Sequence, residues 1–373
     1  MPNPSPSVQP AGAAIVTTCE RGVDTDRVGP ALERLYGNVY ATVHNFTLES
    51  GLDDCYTYTV RRGEELLTLL VFRLRKRRAE VLNEVIALGT EEIDAFARHV
   101  FAHCAEVDVV ACRAVETPRY RGPYPCQQYD YLEDSMLMLP SSVAAYSESL
   151  SKNTRRSIKR QERDAQNELQ GYAFQALDPE HFTDEQVREV IGLNHERMAG
   201  KNKQSGFDDA AERRLVALAR ASGLLGVITV DGKVCAGTLA CRAGDNYFLL
   251  VLAHRNAYNQ YGIGFLCCYH TICACIERGG NELHFLWGRY DYKRSFLGQW
   301  RNLDRVLLYR SRWAALRHAG LAWRAWRQAR QRRLMLWLRE RSHEPTPLFS
   351  MAFAVLQRLR GWRHQWRQRS LMP

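Results

Sequence analysis

The chain lacks three things that would each have settled its class at once. Its 11 cysteines include no C-x-x-C pair. No apolar run approaches the roughly 18 residues of a membrane span. Its opening, "MPNPSPSVQPAGAA", has neither the basic start nor the apolar core of a secretory leader. An odd number of cysteines without a leader predicts reduced thiols and a cytoplasmic location. Cys267, Cys268, Cys273 and Cys275 crowd into "GFLCCYHTICACI" beside His270. Their spacing fits no zinc site, so they read as small apolar residues of a buried helix, and no metal is expected.

Acidic residues are scarce in one region only. Residues 312–373 carry 14 Arg, no Lys, and only Glu340 and Glu344 as acids, a net +12, whereas the whole chain is +10. The remaining 311 residues are therefore close to neutral at −2. The basic character belongs to the tail, which argues against nucleic-acid binding by the main body. The tail also holds six of the eight Trp, among them Trp313, Trp323, Trp326 and Trp337. Trp and Arg at helical spacing suit an anionic membrane surface; packing on the body and an Arg-rich arm on RNA are the alternatives. "EPTP" (344–347) is expected to divide the tail into two helices.

What is present predicts an α/β (α+β) protein. Residues 1–13 read as disordered. A compact unit follows over 14–140, with a short interrupted helix at 27–47 and paired strands at 64–88 around a basic turn near Lys76–Arg78. A helix at 90–104 is capped by Thr90, and strands lie at 106–115 and 131–139. Residues 141–172 predict one connecting helix on which Lys152, Arg155, Arg156, Lys159, Arg160 and Arg163 form two adjoining stripes. These stripes are either a solvated face or a wall that attracts an anion. Residues 173–311 predict a second unit: helices at 184–200 and 208–223, then three antiparallel strands over 224–255 joined at "VDGK" and "AGDN". A loop-to-helix segment at 256–280 and a strand at 281–287 complete it.

Two places carry chemistry-bearing residues. In "NQYGIG" (259–264), Gly262 and Gly264 free backbone amides at the start of a helix, a place where a diphosphate can sit. In "WGRYDYKRSFLG" (287–298), two tyrosines and a lysine follow a strand end at once, which a core does not require.

These stretches, taken in order with "SLSKNTRRSIKRQERD" and "LLGVITVDGKVCAGTLACRAGDNYFLLVLAH", resemble the GNAT acyltransferase superfamily. The likeness is specifically to the CelD-type, polysaccharide-associated branch related to FemAB-like aminoacyltransferases. It covers about 141–298 well and 14–140 more loosely. The resemblance implies two GNAT-like halves, each a mixed, mostly antiparallel sheet flanked by helices, with a basic helical extension. It implies Asn259, Gln260, Gly262, Ile263 and Gly264 as the donor loop, although Asn259 stands where the family has Gln or Arg. Tyr292 would protonate the departing thiolate, Lys293 would neutralise a phosphate or acidic group, and Asp291 would orient either one. Glu196 is a candidate base, as are Asp208 and His254. Lys201, Lys203, Gln204 and Ser205 resemble an acceptor-side loop.

The expected donor is acetyl-CoA or another acyl-CoA. The expected acceptor is an amine or hydroxyl of a sugar or envelope precursor, with the tail peripheral at the inner membrane face. The alternatives are an aminoacyl-tRNA donor, which would make nucleic acid a partner, and a non-enzymatic scaffold of a polysaccharide synthase.

Overall fold

The computed structural model describes residues 14–199 and 207–341. The expected disorder at 1–13, the loop residues Lys201 to Ser205 and the tail beyond 341, with its "EPTP" break, lie outside the described residues. The first part of the chain runs β1 (Ile15–Arg21), α1 (Thr25–Tyr36), α2 (Val43–Ser50), β2 (Cys55–Arg62), β3 (Glu65–Arg75), β4 (Arg78–Val81), β5 (Ile86–Ala87), α3 (Thr90–His103), β6 (Val109–Glu116) and β7 (Cys126–Met138). Helices α4 (Val143–Ser149) and α5 (Lys152–Glu168) lead to β8 (Ala173–Leu177), α6 (Asp184–Ala199), α7 (Asp209–Ser222), β9 (Gly223–Val230), β10 (Lys233–Ala243) and β11 (Asn246–His254). Then come α8 (Ile263–Glu277), β12 (Glu282–His284), α9 (Asp291–Ser295), β13 (Gln299–Tyr309), α10 (Arg312–Arg317) and α11 (Ala319–Arg341).

Local chemistry accounts for most boundaries. The turns between β3 and β4 and between β9 and β10 both use left-handed residues, Lys76–Arg77 and Asp231–Gly232, the geometry that matches strand twist. The expected single helix over 141–172 is two helices. Leu150 is extended and buried, and Ser151 restarts the chain by accepting the Thr154 amide at 3.1 Å. The cap of α3 is Gly89 rather than Thr90, because Glu92 reaches back to accept the Gly89 amide at 2.7 Å. The strand expected at 281–287 pairs only over Glu282–His284. The interval between these short pairings matters for the site.

All strands join one mixed sheet in the order β1-β2-β3-β4-β6-β13-β7-β12-β11-β10-β9-β8, with β5 beside β6. Among the described residues only β4–β6, β5–β6 and β11–β12 are parallel. The halves are interlocked: β13, late in the chain, lies between β6 and β7, and β7 in turn pairs with β12. Strand pairing thus crosses the position near 140 where a domain boundary was expected. One apolar cluster packs α1 and α3 on the first half through Leu32, Phe72, Phe96 and Val110. A second packs α5 and α8 on the other half through Ile158, Leu266, Cys267 and Phe285, and a third packs α6 and α7 on the opposite face. Each fully buried Leu or Phe in such a cluster contributes about 2 kcal/mol. Cys267, Cys268 and Cys275 are part of this core, and burial pushes their thiol pKa values up. Among the described residues no helix is long and apolar enough to cross a membrane.

Candidate active site

Strands β11 and β12 run together for three residue pairs, from Asn246 opposite Glu282 to Phe248 opposite His284. They then part. β11 continues to His254, while the Phe285 amide donates to Ser135 O at 2.7 Å and keeps that chain on β7. Leu286 follows in the left-handed region at φ +57°. For a branched residue this conformation costs about 1–2 kcal/mol. The opening between the diverging strands is a cavity of about 440 Å³. Leu249, Leu250 and Leu252 line one wall; Phe285, Leu286 and Trp287 line the other; Tyr292 and Lys293 stand at its end.

Lys293 is 1 % exposed. Its Nζ donates to the carbonyls of Leu286 (2.9 Å) and Trp287 (2.7 Å), so it pins the strained turn that opens the cavity. The rings of Tyr290 and Trp300 lie 5.7 and 5.5 Å from the same nitrogen. Burial holds the Lys293 pKa down to about 8, and the nearby carboxylates of Asp134 and Glu133 offset part of that effect. A neutral amine still has two N–H groups for the two carbonyls and keeps a lone pair. Lys293 can therefore lose a proton without releasing the turn.

Tyr292 is half-buried, edge-on to Phe285 and stacked near Tyr290. Burial, then the Cys268 thiol, raise its pKa far above the ordinary phenol value, so it keeps its proton. Asp291 is exposed on the first turn of α9 and does not line the cavity. Glu196 also lies off the lining, exposed and paired with Arg255 at 3.2 Å. Asp208 caps α7 through the Ala211 amide.

The loop 259–264 leads into α8 on the same apolar cluster as Tyr292, and Phe265 stacks on Phe296 at 4.3 Å. Gly262 is left-handed at φ +62° and starts α8 with no side-chain cap and no acid in the first turn. The Gly262 amide donates to Asn259 O at 3.1 Å. The space a Cβ would occupy at Gly262 is filled by the Gln161 side chain at 2.4 Å, and that at Gly264 by His254 at 2.4 Å. Gln161 Oε1 is buried without a partner, and Asn259 Oδ1 contacts His254 Nε2 at 2.9 Å. Lys152, Arg156, Lys159, Arg160 and Arg163 of α5 are exposed.

Sequence reasoning missed the cations and polar groups of the wall opposite β11. Arg197 and Arg214 line the cavity, each with a buried Nε lacking a hydrogen-bond partner. Arg214 Nη2 donates to Asn45 Oδ1 of the first half at 2.8 Å. Tyr40, also from the first half, lies 5.5 Å from Trp287, ring to ring. Arg197 follows Asn194 by three residues on α6, a spacing that places both on one face and was available as a signal. Nothing local marks Tyr40 or Asn45, because the other half of the chain brings them there. The lining includes no carboxylate and no histidine among the described residues.

Residues 152–294 match the family of acetyltransferase (GNAT) domains. No curated protein matches the chain in sequence. Among solved structures, FemX superposes with a TM-score of 0.55 at 10% identity, over 77% of this chain and 96% of that one. L-PGS from Bacillus licheniformis gives 0.49 at 14% identity, over 79% and 94%. A tandem GNAT protein from the clavulanic acid biosynthesis pathway gives 0.41 at 11% identity, over 79% and 98%. The FemX likeness is one of fold.

Proposed function

Residues 152–294 belong to the GNAT acyltransferase superfamily, and from that premise we propose that the protein moves an acyl group directly from a bound donor to an amine or hydroxyl held in the β11–β12 cavity. The observation that carries this reading is Lys293, a buried lysine with a pKa near 8 at the end of the cavity. In its neutral form it takes the proton from the attacking nucleophile. Tyr292, which keeps its phenolic proton, steadies the departing group by donating a hydrogen bond to it. Acceptor and donor are held in line, so no covalent enzyme intermediate is needed.

Arg197 and Arg214, with no carboxylate in the lining among the described residues and only Glu49 near Arg214 at 4.0 Å, favour an acceptor bearing phosphate or carboxylate. An acidic sugar or envelope precursor, as in polysaccharide assembly, meets that requirement. For the donor, acetyl-CoA or another acyl-CoA would place its diphosphate at Gly262–Gly264. The occupation of that space by Gln161 and His254 favours a second reading, an aminoacyl-tRNA donor that does not use this loop. Purified protein offered labelled acetyl-CoA and labelled aminoacyl-tRNA in parallel, with an extract of envelope precursors, separates the two. Label moving from acetyl-CoA alone supports the first donor; label moving from aminoacyl-tRNA alone replaces it. Transfer from neither donor by folded protein overturns the enzyme reading in favour of a scaffold.

A further inference from the structure

Helix α11 has two apolar faces. One carries Ala325 and Ala329, buried against Val109, Tyr129 and Leu307 of the sheet. Gln127 Nε2 fastens it to the Ala322 carbonyl at 3.0 Å, and Arg332 Nη2 to Glu133 at 2.6 Å. Docking this small-residue face fixes where the rest of the helix points. The flank about a third of a turn away carries Trp323, Trp326 and Leu334, exposed by 60, 44 and 47%. Their spacing keeps them on one stripe about 17 Å long at 1.5 Å per residue. Trp313 (80%) and Leu316 (65%) of the preceding α10 are more exposed still. Exposed indoles and leucines in such number are costly in water unless something covers them.

The charge around the stripe selects the cover. Arg324, Arg327, Arg330 and Arg333 border it, Arg330 lies over the Trp326 ring at 5.1 Å, and no acid occurs between residues 312 and 337. We propose that this face of α10 and α11 docks on the surface of an anionic phospholipid bilayer. The indoles enter the head-group layer and the guanidiniums pair with lipid phosphates. A second copy of the same face would bring arginine onto arginine. A nucleic-acid backbone would give Leu316 and Leu334 nothing apolar to bury against. Glu133 ties the docking face to the cavity rim, because it pairs with Arg332 of α11 and lies 3.8 Å from Arg289, four residues before Lys293.

The test is co-sedimentation of the full-length protein with vesicles of mixed phosphatidylglycerol and phosphatidylcholine, against vesicles of phosphatidylcholine alone. Tryptophan emission is read in parallel. The expected result is binding to the anionic vesicles only, with a blue shift, and weakening by about tenfold or more in W323A/W326A and in R324E/R327E. Because these side chains are exposed, both variants should keep the wild-type unfolding temperature, which is measured alongside. No anionic-vesicle binding by the wild type, or undiminished binding by both folded variants, overturns the proposal. Binding of tRNA, or self-association, that the same substitutions abolish while vesicle binding is absent replaces it with that partner.

Discussion

Helices α3 and α8 hold equivalent places in the two halves. Each is the crossover between two parallel strands, β4 to β6 and β11 to β12. Their N-termini are built in opposite ways. At α3 the Glu92 carboxylate accepts the Gly89 amide and the Thr68 hydroxyl, each at 2.7 Å, and Glu91 adds a second acid to the first turn. The helix dipole there is already answered by an anion of the protein. At α8 no side chain caps the start and no acid is near it in sequence. The strand gaps differ in the same sense. Beyond β4, Asn83 is fully buried and bonds Val71 N and Leu69 O, Val85 N donates to Ala114 O, and β5 pairs with β6. This seals the first half. Beyond β12, the chain turns at Leu286 and leaves a cavity. Both gaps contain a left-handed residue, Val85 in one and Leu286 in the other, so the closed half is set apart by its carboxylate cap and its buried asparagine.

The largest expected effect is at the open half. Lys293→Met should lower the transfer rate about a thousandfold, the range for losing a positioned base. Steady-state kinetics measured beside an unfolding curve would separate this from lost folding. Next comes the seam between the halves. His284 is 2% exposed, with Nδ1 at 2.7 Å from Asp134 and Nε2 at 3.1 Å from Glu282, and Arg301 also reaches Asp134. Burial works against charge on this ring, yet the two carboxylates prevail and its pKa is raised. His284→Gln leaves Asp134 partly uncompensated and should cost about 3 kcal/mol in denaturant unfolding. The sign of the pH effect follows from tighter proton binding in the folded state. The His284 contribution is complete below about 6.5, the unfolded value, and is lost as pH climbs through the raised folded value. The wild type should therefore lose stability over that window and the variant should not.

Tyr292→Phe should slow transfer about a hundredfold without changing the unfolding temperature, since the ring packing stays. Arg197→Gln should raise KM for the acidic acceptor about tenfold and spare kcat, the loss of one charge-assisted contact. The smallest effect belongs to the closed half. Glu92→Ala should cost about 1 kcal/mol of stability and leave transfer untouched, because its role is a cap. A transfer defect in that variant would break the contrast between the helices.

Local features were readable from the sequence. The Asp231–Gly232 turn, the three strands after residue 223, the glycines that start α8 and the Tyr292–Lys293 pair all announce themselves within a few residues. β1 and β2 escaped notice, although "CYTYTV" (55–60) has the alternation of a strand. The insertion of β13 between β6 and β7 joins residues about 180 apart, and no local period encodes it. The burial of Lys293 was not legible, because it depends on Asp134, Trp300 and the Leu286 turn. Glu196 read as a base because a carboxylate near a helix end carries no mark of its partner, and that partner, Arg255, lies 59 residues away.

The central claim is that Lys293 is a buried amine poised to lose its proton near neutrality. Carbon NMR of lysine labelled at Cε, titrated from neutral to strongly alkaline pH, tests it directly and needs no substrate. One resonance should titrate near 8 and be missing from Lys293→Met. If every lysine instead titrates near the ordinary value of about 10.4, the account is contradicted.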